Sequence, residues 1–420
     1  MEAIAHQRGR VRRRSEVAIE SLKTRALEPN DANVSLFVKK DKTNFDNPNK
    51  PNPDPRAIQP RSPRYNVRML RYSRPIEKFI FKYEKFPRHR KGRVVLKGLN
   101  CRQRASLLRN VWESFEDPVF IGLDCKRFDY HVEELILKSV HDLLRLVSAD
   151  EELEWLIEHQ IKVKGYTSTG IKYIVRWLLC SGDVLTSLVG VVGMVVMVLS
   201  CMDELKVNID DFYLLDDGDD AGLVIESREV DRVVKALPSM FLEYGHELKI
   251  EQVTQVFENV TMCQMRPILL EEWTMCPDPR KVLNTFFSGH QLPNPWDWPA
   301  HLRAVAACYN ALVPGCPVLG KLVEKVLDET QGVVANYRFV EGLLHKTSGK
   351  INLQPDRSYD RIDYRLALYA TWDLPIEEQV RIEGHLERGV TSSRFTDVPL
   401  VCTHDGVCLP WPRYEDIRLK

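Results

Sequence analysis

With 420 residues, 44% of them hydrophobic and 28% charged, the chain can build two or three packed lobes and is too apolar for an intrinsically disordered protein. Its formal charge is zero, yet residues 1–110 hold 28 Lys and Arg against 10 Asp and Glu, leaving the remainder acidic by the same margin. A basic quarter joined to an acidic remainder suits a polyanion bound by one part and metal or catalysis in the other. Ten cysteines without a CxxC pair argue against a disulfide scaffold and for reduced thiols in a cytosolic setting. The polar, arginine-rich start is no secretory signal.

Arg8, Arg10, Arg12, Arg13 and Arg14 read equally as an RNA-contacting arm or a solvated terminus, ahead of a helix over Glu16–Ala26. A short strand with basic ends, including Lys39 and Lys42, is expected at Phe37–Lys42. Asn47–Pro55 is too proline-rich for helix or central strand and reads as an extended connector. In the following segment Arg56, Arg61, Arg64, Arg68 and Arg71 lie among prolines and Tyr65. An extended backbone there would let guanidinium groups ring a phosphate bidentately; a solvated basic loop is the plain alternative. Lys85–Lys91 adds a basic turn, and Leu107–Phe115 looks helical.

Pro118–Asp124 reads as a buried strand that delivers Asp124 at its C-terminal end, with Asp129 five residues later and an amphipathic helix over Val132–Val147. Gly165–Gly170 is turn-rich, and Ser181, Gly182 and Asp183 lead into the apolar run Val184–Met202. That run is near the roughly 20 residues that span a bilayer. Its Thr186, Ser187, Gly190, Gly193 and Ser200 favour a buried core helix instead.

The densest chemistry lies at Phe212–Glu226, where two apolar runs flank four aspartates around Gly218. Asp217-Gly218 signals a tight hairpin, because Gly tolerates the positive φ such a turn demands. Four carboxylates at one turn resist joint ionisation unless cations sit among them, so metal binding competes with a plain acidic surface turn. If the strand ending in Asp124 pairs beside this hairpin, about 4.8 Å away, Asp124 and Asp219 can share cations. Beyond it come a helix over Arg228–Tyr244, short strands at 248–252 and 256–262, a loop over Pro277–Asn284, and helical patterns from Pro299 to Leu386. Cys402, His404 and Cys408 offer three candidate metal ligands without a fourth.

In this order, PRAIQPRSPRYNV (55–67), VVLKGLN (94–100), FIGLDCKRFDYHV (120–132), SGDVLTSL (181–188), LLDDGDDAGLVI (214–225), LKIE (248–251) and FENVTMCQMRP (257–267) resemble the RNA-directed RNA polymerases of positive-strand RNA viruses, most closely the tombusvirus and carmovirus group. The resemblance implies an α+β, right-hand polymerase fold with an antiparallel palm sheet and a mainly helical thumb. Residues 1–117 would be fingers, 118–275 palm with a finger insertion near 148–180, and 276–420 thumb and C-terminal tail. It implies copying of a viral genome by nucleotidyl transfer on two Mg²⁺ or Mn²⁺ ions held by Asp124 and Asp219, with Asp220 in support. Arg56, Arg61 and Arg64 would neutralise the triphosphate, with Asp129, Ser181, Gly182 and Thr186 around the nucleotide. Lys249 would donate a proton to pyrophosphate, or be merely an exposed strand lysine. Lys39, Lys42, Cys263, Gln264 and Arg266 would meet RNA or primer.

The implied partners are a single-stranded RNA template, nascent RNA, ribonucleoside triphosphates, a membrane-anchored viral replication protein and host factors. The implied setting is the cytoplasm of an infected plant or fungal cell, at membrane-associated complexes reached through partners, with no transmembrane segment of the chain's own. The family's polymerase portion commonly extends a membrane-bound upstream protein, so an upstream segment is expected. Two positions depart from the family's SGDMNTSLGN: Leu185 and Gly190 stand where it has asparagines. Ribose selection then falls to Asp129 with Ser181 or Thr186. The departure also keeps an alternative, a catalytically impaired polymerase-fold RNA-binding replication factor.

Overall fold

The computed structural model describes residues 2–5, 7, 9–39, 55–83, 92–289, 297–347 and 351–389, with the short strands 401–403 and 406–408. Arg8, Lys42, most of the proline-rich connector, the basic turn at 85–91 and the side chains at 402–408 lie outside the described residues. The chain forms two compact units, one within 1–39, 47–97 and 115–253, the other within 40–46, 98–114 and 254–420.

Ten strands matter here: β1 (Val34–Val38), β2 (Ala57–Ile58), β3 (Pro118–Cys125), β4 (Lys162–Thr167), β5 (Lys172–Arg176), β6 (Phe212–Asp216), β7 (Asp220–Glu226), β8 (Leu248–Thr254), β9 (Met265–Leu269) and β10 (Trp273–Pro277). The first unit holds two four-stranded sheets, ordered β2-β1-β4-β5 and β6-β7-β3-β8. In the second of these, β6, β7 and β3 are antiparallel neighbours. Alternation places Ile121, Leu123, Ala221, Leu223, Ile225 and Leu214 on one face, in a core shared with the helices Thr186–Glu204, Glu134–Arg145 and Ser227–Glu243.

The Thr186–Glu204 helix is long and apolar enough to cross a membrane by composition, yet it is the core helix expected. Leu188, Val189, Met194, Met197, Val198 and Cys201 are fully buried against the sheet. Each such side chain contributes roughly 1.5–3 kcal/mol of transfer free energy.

Three local expectations fail, each for a capping or pairing reason. The Arg/Pro segment is extended only up to Ser62; Pro63 then opens a helix to Phe81, with the Ser62 hydroxyl accepting from the Arg64 N–H. Proline is well suited to the first helical position, where its missing N–H costs nothing. Pro277–Asn284 is likewise no loop: Asp278 caps a helix over Pro279–Phe286. The strand expected over 256–262 is replaced by a single helical turn at Phe257–Asn259.

The second unit is mainly helical, with helices Cys101–Trp112, Trp298–Leu312, Leu319–Glu329, Ile362–Trp372 and Ile376–Gly389 around the β9–β10 hairpin. All eight cysteines whose side chains are described are unbridged.

Candidate active site

The β6–β7 connection is three residues, Asp217–Asp219, one longer than the expected two-residue turn. Gly218 adopts φ +98°, and a side chain there would also meet Lys97 Nζ at 3.3 Å. Asp216, fully buried, folds back so that its Oδ1 accepts the Gly218 N–H at 2.7 Å. Burial drives its pKa well above the usual carboxylate range, and this hydrogen bond only partly opposes the rise. The second oxygen, Oδ2, has no hydrogen-bond partner. Asp216 therefore serves the turn and does not line the adjoining cavity.

Antiparallel register sets Asp124 directly opposite Asp220, with Gly122 opposite Gly222 beside them. As the sequence suggested, the strand ending in Asp124 pairs beside the hairpin; Asp124 faces Asp220 across the ladder, and Asp219 stands one residue further out in the turn. Asp124 is half-buried, and Asp219 and Asp220 are exposed. Loss of hydration, then the charges of Asp219, Asp217, Asp124 and Glu251, push Asp220 up to about 6. Cys125, buried next to Asp124, rises to about 12 from burial and the same negative field. Uncompensated carboxylates thus converge at the hairpin end of the sheet.

A cavity of about 300 Å³ adjoins them, lined by Lys97, Phe128, Asp129, Asp183, Val184, Thr186, Ser187, Gly190, Gly218 and Asp219. Asp129 sits on the single helical turn Phe128–His131 and accepts a hydrogen bond from Ser181. Burial raises its pKa, and nearby Asp219 and Asp183 add to the rise. The Thr186 hydroxyl is buried at the start of the long helix with no hydrogen-bond partner. A Cβ at Gly190 would lie 3.5 Å from the Gly218 Cα, so this glycine lets the helix abut the acidic turn. Leu185 is fully buried in the core and does not line the cavity. Gly182 takes φ +89° and sits where a side chain would strike Ile58 at 2.8 Å.

Arg61 and Arg64 do not stand where the sequence reading put them. Arg61 is buried, its Nε 2.6 Å from Asp183 Oδ2, with its guanidinium 4.7 Å from the Tyr65 ring centroid and a bond to the Ala32 carbonyl. Burial opposes its charge, but Asp183 outweighs that and raises its pKa. Gln160 Nε2 and the Leu185 N–H complete the Asp183 shell at 3.0–3.2 Å. Arg64 is buried against Asp31 at 3.1 Å and donates to the Arg25 and Ala26 carbonyls. Both brace the scaffold: the helix that starts at Pro63 turns Arg64 inward, and Arg61, bridged to Val34 just ahead of it, is buried on Asp183. Arg56 stays exposed, its carbonyl accepting the Lys39 N–H at 2.8 Å.

Lys249 is exposed on β8, 3.8 Å from Glu251 of the same strand. In the second unit Cys263 and Gln264 both adopt positive φ at the turn before β9. Arg104 reaches the Cys263 sulfur at 3.2 Å, and Lys281 reaches the Gln264 side chain. Arg266 lies 4.6 Å from the Trp372 ring centroid and bonds Thr261 and the Thr371 carbonyl, so it is half-buried and internally engaged rather than presented to a strand.

The residue that sequence reasoning passed over is Lys97. Residues 94–96 run beside β6, with the Asp216 N–H on Val94 O at 2.9 Å and the Leu96 N–H on Asp216 O at 2.7 Å. Lys97 Nζ then donates to the Asp217 carbonyl at 2.6 Å and lies 3.8 Å from its carboxylate. Among the described residues it is the single basic one lining the cavity. VVLKGLN held its only signal, an apolar run ending in lysine, with nothing to tie it to a turn 120 residues away.

Among the described residues no three His, Cys, Asp or Glu side chains close into a preformed metal cage. Mg²⁺ does not need one: it is commonly held by one or two carboxylates, keeping several waters and substrate phosphates as its other ligands. An open set of acidic oxygens beside a cavity fits that demand.

A mixed sheet-and-helix chain with an acidic hairpin, a facing strand aspartate and a nucleotide-sized cavity has the parts of a nucleic-acid-processing enzyme. The chain belongs to the viral RNA-dependent RNA polymerase family, whose family model matches residues 1–393. Proteins described as RNA-directed RNA polymerase are similar to it: 31% identical over 394 residues in Tobacco necrosis virus (strain D), covering 91% of this chain and 54% of that protein. The Melon necrotic spot virus protein is 33% identical over 405 residues, 90% of this chain and 48% of that one. The Turnip crinkle virus protein is 35% identical over 307 residues, 72% of this chain and 38% of the other. The chain thus spans about half the length, or less, of the curated relatives it matches.

Proposed function

We propose that this chain is the catalytic portion of a viral RNA-dependent RNA polymerase that extends RNA on a single-stranded positive-strand template from ribonucleoside triphosphates. The observation that carries this reading is Asp124 facing Asp220 across β3 and β7, with Asp219 lining the adjoining cavity. In a right-hand arrangement the β6-β7-β3-β8 sheet is the palm, residues 1–117 and the β4–β5 region supply fingers, and 276–420 the thumb and tail.

Asp124 and Asp219, with Asp220 beside them, would hold two Mg²⁺ or Mn²⁺ ions, which lower the pKa of the attacking 3′-hydroxyl and offset charge on the triphosphate. Lys97 holds the acidic turn in place through the Asp217 carbonyl. Asp129, oriented by Ser181, and the unpartnered Thr186 hydroxyl face the cavity, where they accept from and donate to a ribose 2′-hydroxyl. Gly182 keeps that loop close to β2, and Arg56 attracts the triphosphate. Lys249 stands on the same sheet as a proton source for pyrophosphate; Lys39 meets RNA, as does the Cys263–Gln264 turn of the second unit, while Arg266 supports that turn from within. The buried Arg61–Asp183 pair keeps the loop and helix start rigid rather than touching substrate. In the cell the protein would act in cytoplasmic replication complexes, brought to membranes by a viral partner and host factors.

The test is purified chain with single-stranded RNA, four ribonucleotides and Mg²⁺ or Mn²⁺. Template-dependent product that disappears with Asp219→Ala supports the reading. Absence of product from the wild type, or product that survives Asp219→Ala, contradicts it. Asp129→Asn and Thr186→Val should narrow the preference for ribonucleotides over deoxynucleotides, and unchanged discrimination would refute their sugar contacts.

A further inference from the structure

The sheet β2-β1-β4-β5 has an open face that the site above leaves unused. β4 and β5 set Lys162 opposite Arg176, Lys164 opposite Ile174 and Tyr166 opposite Lys172. Alternation puts these six side chains on one face, and all six are exposed. Val163, Tyr173 and Val175 take the other face and pack with Val34 and Cys180. Parallel pairing sets Ser35 of β1 beside Tyr166, which brings Phe37 onto the open face as well. Phe37, Tyr166 and Ile174 are 51%, 48% and 59% exposed.

Charge on this face has one sign. No Asp or Glu occurs in the four strands or in the turn 168–171. Among the described residues Lys162, Lys164, Lys172 and Arg176 form no ion pair. Along a strand, cations two residues apart stand about 6.7 Å from each other, a repeat that an extended polynucleotide backbone can follow. Aromatic rings set among them on a flat sheet provide stacking platforms for unpaired bases, as other four-stranded RNA-binding sheets do. At the sheet's β2 edge Ile58 borders Gly182, and the Gln59 N–H donates to the Ser181 carbonyl at 2.8 Å.

We propose that this face binds single-stranded RNA, with Lys162, Lys164, Lys172 and Arg176 on phosphates and Tyr166 and Phe37 beneath bases. It goes beyond the polymerase reading and is testable without it, because binding needs no nucleotide addition. The experiment is fluorescence anisotropy of a labelled single-stranded RNA with the full chain across a salt series. The variants are Lys164→Gln/Lys172→Gln/Arg176→Gln and, separately, Tyr166→Ser; melting curves check that each folds. The triple variant should bind about ten- to a hundredfold more weakly at low salt, with a salt slope shallower by about 2. Tyr166→Ser should weaken binding several-fold and leave the slope unchanged. Affinity within twofold of wild type for both variants overturns the proposal. So does a triple variant that keeps RNA affinity but loses binding to phosphatidylserine vesicles, which would make the face a membrane contact.

Discussion

Two hairpins of the same unit carry opposite charge, and the fold treats them differently. β6–β7 gathers four aspartates into one turn, then removes one from view: Asp216 is buried and spent on the Gly218 N–H, while Lys97 pins Asp217. Asp219 and Asp220 remain exposed, with Asp124 across the sheet. β4–β5 instead spreads four cations over one face without any carboxylate to answer them. Concentrated charge needs internal bracing and suits small multivalent cations; dispersed charge needs none and suits a long polyanion. The buried Arg61–Asp183 pair is a third case, charge taken out of water entirely and used as scaffold.

Substitutions can break this contrast in order of effect. Asp219→Ala should lower nucleotide incorporation by about a thousandfold or more and leave thermal stability near wild type, as measured by single-nucleotide extension beside a melting curve. Asp183→Asn should behave oppositely. It leaves Arg61 buried and unpaired, so urea unfolding should show about 3–5 kcal/mol lost. A loss below about 1 kcal/mol would mean that the pair is not a brace.

Lys97→Met should reduce incorporation about tenfold by loosening the acidic turn, with partial recovery in Lys97→Arg, and should raise the metal concentration needed for half-maximal rate. An unchanged metal dependence would deny Lys97 its positioning role. The smallest effect is Asp220→Asn. Asp220 has its folded pKa raised to about 6, so the cost to the native state is full above that pH, shrinks as pH falls towards the unfolded carboxylate value near 4, and is absent below it. Without added metal, Asp220→Asn should therefore gain about 1 kcal/mol at pH 7.5, after allowance for solvent screening of an exposed group. The gain should fade as pH drops through 6 towards 4. A gain that grows on acidification would reverse the sign of the crowding.

What could be read from the chain alone was local. The acidic hairpin, the strand delivering Asp124 and the buried Thr186–Glu204 helix each follow from short-range pattern and turn chemistry. What could not be read depends on pairing across more than a hundred residues. Nothing in the Arg/Pro segment reveals that Arg61 meets Asp183, 122 positions on, and prolines that suggest an extended groove in fact open a helix. Register is equally hidden. That β3 lies beside the hairpin is expected, but only the completed ladder shows that Asp124 faces Asp220, with Asp219 one residue beyond it in the turn. The cationic face escaped notice because Lys162–Arg176 is unremarkable as a string and becomes one-signed only when β4 and β5 pair.

The central claim is that the hairpin's carboxylates have divided roles, with the exposed Asp219 and Asp220 joining Asp124 in the chemistry and the buried Asp216 serving the turn. Single-nucleotide extension on a primed RNA template, run side by side with Asp124→Asn and Asp216→Asn, tests it most directly. The account predicts at least a thousandfold loss for Asp124→Asn and a rate within about tenfold of wild type for Asp216→Asn, since Asp216 is buried outside the cavity and an asparagine carbonyl oxygen can also accept the Gly218 N–H. Equal loss in both variants, or activity retained by Asp124→Asn, would contradict it.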